Sequence, residues 1–470
     1  MDAAQQQLVE FVQQRGGPRA ASTDPDDIAP WLTDWRGRWT GKSDAILAPA
    51  STEEAQAIVE KAAELGVRLT IQGGNTSMVG GATPPADGSA LLLTTRRLNR
   101  IRSIESGHAV VEAGVILETL HQAALDTGQR FPLSLGSKGS ATVGGLTSTN
   151  AGGTQVLRFG TMGGLVEGIE AVLPDGSLVS TLDGLKKDNR GPRVDRLLVG
   201  GEGTLGLVTA VRLKLVPAVA ARAVAWLGLA SPHAALAVLK ALQAQTDRVE
   251  GFEILPDDSL RAALTQIPGT RAPLAGAHRW NALVEVTAHD ATDEPGEALL
   301  ERLLAPLLAD GTVEDAALAQ NEGQADAFWH IRESLSEAEK KAYGPATQHD
   351  LSVPLERMPD FLDQASAAVE KAFPGVHASG FGHLGDGNIH FHVRAMARGG
   401  EDWVDREGEA VVRLVDDLVT AAGGSISAEH GIGRMKREEL ARLDPVRVAH
   451  LTAIKAALDP DRRFNPEILV

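Results

Sequence analysis

Asp386-Gly387 is the dipeptide that most constrains how this chain folds. Asp and Gly tolerate positive φ, and such a pair flanked by alternating apolar residues is the strongest short hairpin signal a sequence carries. The stretch reads Ser379-Gly-Phe-Gly-His383-Leu-Gly-Asp386-Gly387-Asn388-Ile-His390-Phe-His392-Val393. With a two-residue type I′ loop, Gly385 faces Asn388, Leu384 faces Ile389 and His383 faces His390. Side chains opposed in this way have Cβ atoms ~4.5–5.5 Å apart. Two imidazoles then stand side by side on one face, and the strand period of two adds His392 to it. Leu384, Ile389 and Phe391 fill the other face.

On its own, a histidine pair reads equally as a satisfied core pair. A second stretch tips the balance. Ser427-Ala-Glu429-His430-Gly431-Ile-Gly433 sets a carboxylate beside an imidazole, in a glycine-rich segment that opens a basic helix. Two His and one Glu suit a divalent metal with open positions for a substrate. His430 is then left over for general-base work.

Composition narrows the field. A chain of 470 residues has room for two or three domains, each with its own core. A net charge of −17 argues against a general nucleic-acid or anionic-membrane surface. There are no cysteines, which excludes disulfides, thiolate catalysis and Cys-ligated iron–sulfur clusters within the chain. Any metal must therefore sit on N and O ligands. The start, Met1-Asp-Ala-Ala-Gln, shows neither a secretory leader nor the Arg/Ser-rich, acid-poor make-up of a transit peptide. No apolar run is long enough to span a bilayer. The expectation is a cytoplasmic protein.

Taken in order, residues 4–15 read as an amphipathic helix and 16–44 as an irregular arm holding Trp31, Trp35 and Trp39. Residues 45–49 form a strand. Ser51 and Glu54 make a capping box, in which Ser51 accepts from the Glu54 amide and Glu54 reaches back. The helix it opens stops at Gly66, and a strand follows at 67–71. Next comes Gly73-Gly74-Asn75-Thr76-Ser77, with Gly80-Gly81 close behind. Glycines here let backbone approach a ligand, and successive N–H groups can cradle an anion. A longer block, Gly136-Ser-Lys-Gly139-Ser140-Ala-Thr142-Val-Gly144-Gly145 to Thr149-Asn150-Ala-Gly152-Gly153, is small and hydroxyl-rich, suited to lining an extended flat ligand. Gly201-Glu202-Gly203-Thr-Leu205-Gly206 matches G-x-G-x-x-G, but a dinucleotide fold needs a helix to open there. Residues 207–215 alternate at period two and end before Pro217, which is a strand. The Rossmann reading fails, and a third nucleotide-contacting loop remains.

Beyond Pro217 the elements lengthen. Strands at 224–229, 249–255, 280–286 and 312–317 alternate with helices at about 231–245 and 295–308. This texture predicts an antiparallel sheet backed by helices. A helix over about 322–341 carries Trp329, Arg332 and Ser336, the last two at i, i+4 and so on one face. A strand at 350–353, a helix at 355–373, the His hairpin, a helix at 402–422 and a C-terminal helix follow. The tail through Phe464-Asn465-Pro466 reads as a structured end.

The glycine loops at 73–77, 136–153 and 200–206, Gly382-His-Leu-Gly-Asp-Gly-Asn-Ile-His390, Ser427–Gly433 and Phe464–Pro466 occur together in one order. In this the chain resembles the FAD-linked D-2-hydroxyacid dehydrogenases of the vanillyl-alcohol-oxidase flavoprotein group, which include D-2-hydroxyglutarate and D-lactate dehydrogenases. The resemblance spans roughly residues 40–470. It implies an α+β fold: an N-terminal arm (1–39), a bipartite FAD-binding domain of PCMH type with two α/β subdomains (40–217), an antiparallel-sheet substrate or cap domain (218–424), and a helical C-terminal segment returning to the flavin (425–470). It implies FAD held by Gly73, Gly74, Asn75, Thr76, Ser77, Gly80, Pro132, Gly136, Ser140, Thr142, Gly144, Gly145, Thr149, Asn150, Gly152, Gly201, Glu202, Gly203, Leu205, Gly206, Val208 and Asn465. The first loop offers no histidine for covalent flavin attachment, so the FAD is expected to be non-covalent.

By position, the resemblance implies His383, His390 and Glu429 as metal ligands, zinc being usual in the family, and His430 as the catalytic base. Arg332 matches the residue that clamps the substrate carboxylate, with Ser336, Gln348, Asn388 and His392 about the substrate. The implied reaction oxidises a D-2-hydroxy acid to the 2-oxo acid, with hydride to flavin N5. Two departures bear on the substrate. Relatives acting on D-2-hydroxyglutarate carry Lys-Tyr-Asp where this chain has Gln348-His349-Asp350, and Asn where it has His392. Losing the Lys removes a charge for a distal carboxylate. Ser336 stands where Thr is usual. The expected partners are a small 2-hydroxy acid and an electron acceptor, with no nucleic acid and no membrane span. A homodimer is among the open assemblies. Two rivals stay open: a flavin-carrying electron-transfer subunit, which needs no metal and base, and an alcohol or sugar oxidase on the same flavin fold, which needs no carboxylate-binding Arg.

Overall fold

The computed structural model describes residues 1–290, 292–395 and 402–470. The chain divides into two units. One comprises residues 1–153, 160–218 and 429–470, and the other 154–159 and 219–428. The first unit thus takes in the C-terminal stretch from Glu429 onward. The second takes in the short segment 154–159, where Arg158 donates to Glu250 at 2.7 Å and to Thr287 at 3.1 Å.

In the first unit, Ser51 caps the helix Thr52–Leu65, its Oγ accepting from the Glu54 amide at 3.2 Å. The return half of the expected box is different: the Glu54 carboxylate accepts from the Ala50 amide at 2.8 Å rather than from Ser51. Gly66 ends the helix in the left-handed region, at φ 69°. The strands Ala21–Ser22, Ile46–Leu47, Ala90–Thr94 and Arg68–Gln72 form a four-stranded sheet in that order, its last three strands parallel. The helix packs Ile58 and Val59 onto Leu47, Leu69, Leu91 and Leu93. The tail extends this sheet: Leu69 N–H donates to Arg463 O at 2.8 Å and Asn465 N–H to Leu69 O at 2.9 Å. Phe464 is buried in the same core.

A second, antiparallel sheet of five strands has Leu207–Lys214 at its centre. The G-x-G-x-x-G stretch therefore does run into a strand, as its alternation required. Within the 136–153 block the structure adds a helix, Val143–Thr149, capped by Thr142 Oγ1.

The second unit is built on a seven-stranded antiparallel sheet. Its order is Asp315–Leu318, Ala221–Leu229, Trp280–Ala288, Val249–Pro256, Val376–His383, Asn388–Ala395 and Ala346–Ser352. Trp226 meets Phe328 edge-on in its core, ring centroids 5.7 Å apart.

Two expectations change here. The helix over 322–341 is two helices, Glu322–Glu333 and Leu335–Tyr343. At the break, Ser334 turns its hydroxyl back onto the His330 carbonyl at 2.7 Å, a side-chain bond that competes with helix continuation. Arg332 and Ser336 consequently do not share a face: Arg332 is buried and Ser336 exposed.

The hairpin register also differs. Phe381 pairs with His390 and Ser379 with His392, two residues away from the register of a two-residue loop. Asp386 does not adopt positive φ. Leu384–Asp386 forms a 3₁₀ turn instead, its carboxylate accepting from the Asn388 amide at 3.0 Å, and only Gly387 is left-handed. A shift of two preserves parity, so His390 and His392 keep their common face. Among the described residues no helix is long and apolar enough to cross a membrane.

Candidate active site

In the first unit the glycine loops approach each other closely, Gly74 against backbone and Gly73 against a hydroxyl. A Cβ on Gly74 would lie 2.0 Å from Ser140 O, and one on Gly73 would lie 2.3 Å from Thr142 Oγ1. Only glycine permits this approach. It opens a cleft of about 530 Å³ lined by Gly73, Gly74, Asn75, Thr76, Ser77, Gly136, Ser140, Thr142, Gly145, Thr149 and Gly152, and also by Glu429 and His430. An adjoining apolar recess of about 70 Å³ is lined by Gly144, Glu202, Gly203, Val208 and Asn465. A largely uncharged cleft of this volume with a small-residue floor fits a dinucleotide such as FAD.

Some expected cofactor residues lie outside both cavities. Asn150 is the left-handed cap of its helix, its Oδ1 accepting from Thr161 at 3.0 Å and Gly163 at 2.8 Å. Gly80 packs against Trp39, and Pro132, Gly201, Leu205 and Gly206 line neither cavity. Ser137 and Gly139 line the cleft from within the block read as a ligand lining, and Trp35 and Leu135 line it without having been expected there. Trp35 belongs to the arm read as irregular. It sits in a turn built by Asp34, whose carboxylate accepts from the amides of Arg36 at 3.2 Å and Trp39 at 2.7 Å.

Glu202 does more than line the recess. Its carboxylate accepts from the amides of Ile432 at 2.8 Å and Gly433 at 2.7 Å, fixing the turn that follows His430. Asn465 braces it: its amide donates to Glu202 O at 2.7 Å, and its Oδ1 accepts from Ile71 at 2.6 Å. Burial pushes the Glu202 carboxyl up to about 7, against the pull of those two amides. A raised pKa means the native state holds this proton where the unfolded chain releases it. Stability therefore falls as pH rises from about 4.5 to about 7, by roughly 3 kcal/mol. Glu202→Gln is expected to flatten that slope in urea unfolding of the FAD-free protein, and an unchanged slope refutes the assignment.

In the second unit a polar face forms on the sheet. The rings of His383 and His390 lie 5.5 Å apart, centroid to centroid, at 78°. His383 stands opposite Glu253 of the neighbouring strand and donates from Nδ1 to Glu253 Oε1 at 2.6 Å. The other Glu253 oxygen accepts from Arg332 Nε at 2.6 Å. Burial raises the Glu253 carboxyl, but the Arg332 charge and the hydrogen bonds from His383 and Arg332 outweigh it and hold it below the ordinary carboxylate range. Arg332 lies over the Phe381 ring, and its Nη2 is buried without a hydrogen-bond partner.

His392 donates from Nδ1 to Glu339 at 2.7 Å and faces Gln348 across the ladder. The Asn388 amide nitrogen donates to Asp350 and to Leu351 O, both at 2.9 Å, while its Oδ1 is buried without a hydrogen-bond partner among the described residues. Glu253 was missed in the sequence. Its signal was a second carboxylate in an otherwise apolar strand, Val249-Glu250-Gly-Phe-Glu253-Ile-Leu255.

The glycine-floored cleft and the antiparallel-sheet unit fall within the two matched family models, which place the chain among flavin-dependent oxidoreductases of the FAD-linked oxidase class. The model for an FAD binding domain matches residues 43–182, and that for the C-terminal domain of FAD linked oxidases matches residues 219–468. The chain is 34% identical over 455 residues to D-2-hydroxyglutarate dehydrogenase, mitochondrial, of Arabidopsis thaliana, covering 96% of this chain and 79% of that protein. It is also 34% identical to D-2-hydroxyglutarate dehydrogenase of Xanthomonas citri pv. viticola, covering 94% and 93%. Among solved structures, p-cresol methylhydroxylase with substrate bound shares the fold, with a TM-score of 0.75 at 15% identity over 99% of this chain and 97% of that one. The chain belongs to the FAD-linked D-2-hydroxyacid dehydrogenases and is an FAD-dependent enzyme acting on a CH–OH group.

Proposed function

We propose that this enzyme oxidises a D-2-hydroxy acid to the 2-oxo acid with a divalent metal held by His383, His390 and Glu429, and with His430 as the base. The observation that carries the reading is Arg332: a buried guanidinium with one edge fixed by Glu253 and Nη2 lacking a partner. Such a group suits a substrate carboxylate, which accepts from it in a bidentate fork. The donor set fits a divalent cation, since it offers imidazole nitrogen and carboxylate oxygen and no thiolate. With His383 Nδ1 committed to Glu253, Nε2 is the nitrogen that would ligate.

When bound, FAD supplies the two-electron acceptor, and the cation supplies a charge that eases loss of a hydroxyl proton. The chain does the rest. Arg332 orients the acid by its carboxylate. His430, on the wall of the cleft, takes the hydroxyl proton at its imidazole. The Glu202-anchored turn holds His430 in register. The relatives' named substrate, D-2-hydroxyglutarate, carries a second carboxylate, for which Gln348 offers no charge. That weights the choice toward acids with one carboxylate.

The test is an anaerobic titration with D- and L-lactate, glycolate, D-malate and D-2-hydroxyglutarate, following flavin absorbance with and without a chelator. Bleaching by a D acid that the chelator abolishes is the expected result. A flavin that no hydroxy acid reduces overturns the reading. Reduction indifferent to the chelator removes the metal from it.

A further inference from the structure

Glu253 sits at 0% exposure in the strand Val249–Pro256, directly across the ladder from His383. Its two oxygens serve different partners. Oε1 accepts from His383 Nδ1 at 2.6 Å, and Oε2 accepts from Arg332 Nε at 2.6 Å. We infer that Glu253 is a positioning residue that locks the metal-ligand histidine and the substrate-clamping arginine to each other, so that one carboxylate sets both. This rests on the roles proposed above for His383 and Arg332.

The chemistry follows from the donor count. Accepting at Oε1 fixes the His383 proton on Nδ1, so the lone pair stays on Nε2. Accepting at Oε2 fixes the guanidinium plane by its Nε edge, leaving the Nη groups to address a ligand. The carboxylate also cancels the permanent charge of the buried Arg332. Glutamine keeps the shape but replaces an acceptor oxygen with an amino group. That group would oppose an N–H on either partner, so one of the two contacts must break, and the other loses its ionic acceptor and the rigid tie to its neighbour, which weakens both.

A second buried glutamate in the same strand supplies the control. Glu250, 2% exposed, binds Arg158 and Thr287 instead. Glu253→Gln and Glu250→Gln are compared as FAD-loaded enzymes. Zn²⁺ affinity is measured by chelator competition, and kcat and KM are measured with the acid that reduces the flavin fastest. Glu253→Gln is expected to weaken Zn²⁺ about 10–100-fold and to raise KM at least about 10-fold, while Glu250→Gln keeps both. The inference fails if Glu253→Gln keeps both, or loses only one. It fails too if Glu250→Gln loses both to the same degree, since that marks general damage to the strand. A wild-type enzyme that holds no stoichiometric metal defeats the metal reading instead, and the KM of Glu253→Gln then decides the Arg332 half.

Discussion

His430→Ala is expected to lower turnover by about 10²–10⁴-fold while FAD content stays at the wild-type level. The two halves of that result come from different parts of the cleft. FAD retention depends on the backbone floor, where Gly73 and Gly74 press against Thr142 and Ser140, and the imidazole takes no part in that contact. Turnover depends on a group that can accept the hydroxyl proton, and His430 is the imidazole on the cleft wall. Removing it leaves water as the acceptor, which is neither positioned nor basic enough. His430→Gln, which keeps volume without basicity, is expected to behave like alanine. Wild-type turnover in either variant sinks the assignment. A loss of FAD alongside activity points to a role in the fold of the cleft instead.

What was legible in the sequence follows from how local each feature is. The glycine loops could be read because close backbone approach leaves its mark residue by residue. The strand after Gly206 could be read because its alternation lies within the strand itself. The hairpin was legible as a hairpin, but its loop length was not. Asp386 can serve an I′ turn or a 3₁₀ turn, and its capping of the Asn388 amide selects the second. The break at Ser334 hides because Ser fits a helix as well as its end, so the 322–341 pattern runs straight through it. Glu253 was out of reach for a different reason. Its partners lie 130 and 79 residues away: His383 arrives through the register of a strand that is a neighbour in the sheet but not in sequence, and Arg332 from a helix packed on that sheet.

The second large effect falls on Arg332. A buried guanidinium with an unpaired N–H is costly, because a desolvated donor keeps its full penalty until an acceptor arrives. The site therefore gains more from a carboxylate than a solvated arginine would. Arg332→Ala removes that gain and also strips Glu253 of its cation, leaving a buried carboxylate held only by His383. Truncating one partner of a buried charge pair costs about 2–5 kcal/mol, or roughly 30- to 5,000-fold in kcat/KM. Arg332→Lys restores the charge but not the planar fork, and is expected to recover only part of the loss. Guanidinium added to the alanine variant is expected to restore activity in a dose-dependent way, because it can refill the cavity beside Glu253. The effect is read as kcat/KM on D acids that carry one carboxylate, for which no other group replaces the clamp. An unchanged kcat/KM in Arg332→Ala takes Arg332 out of the site. A loss that neither lysine nor guanidinium relieves assigns it to holding the fold.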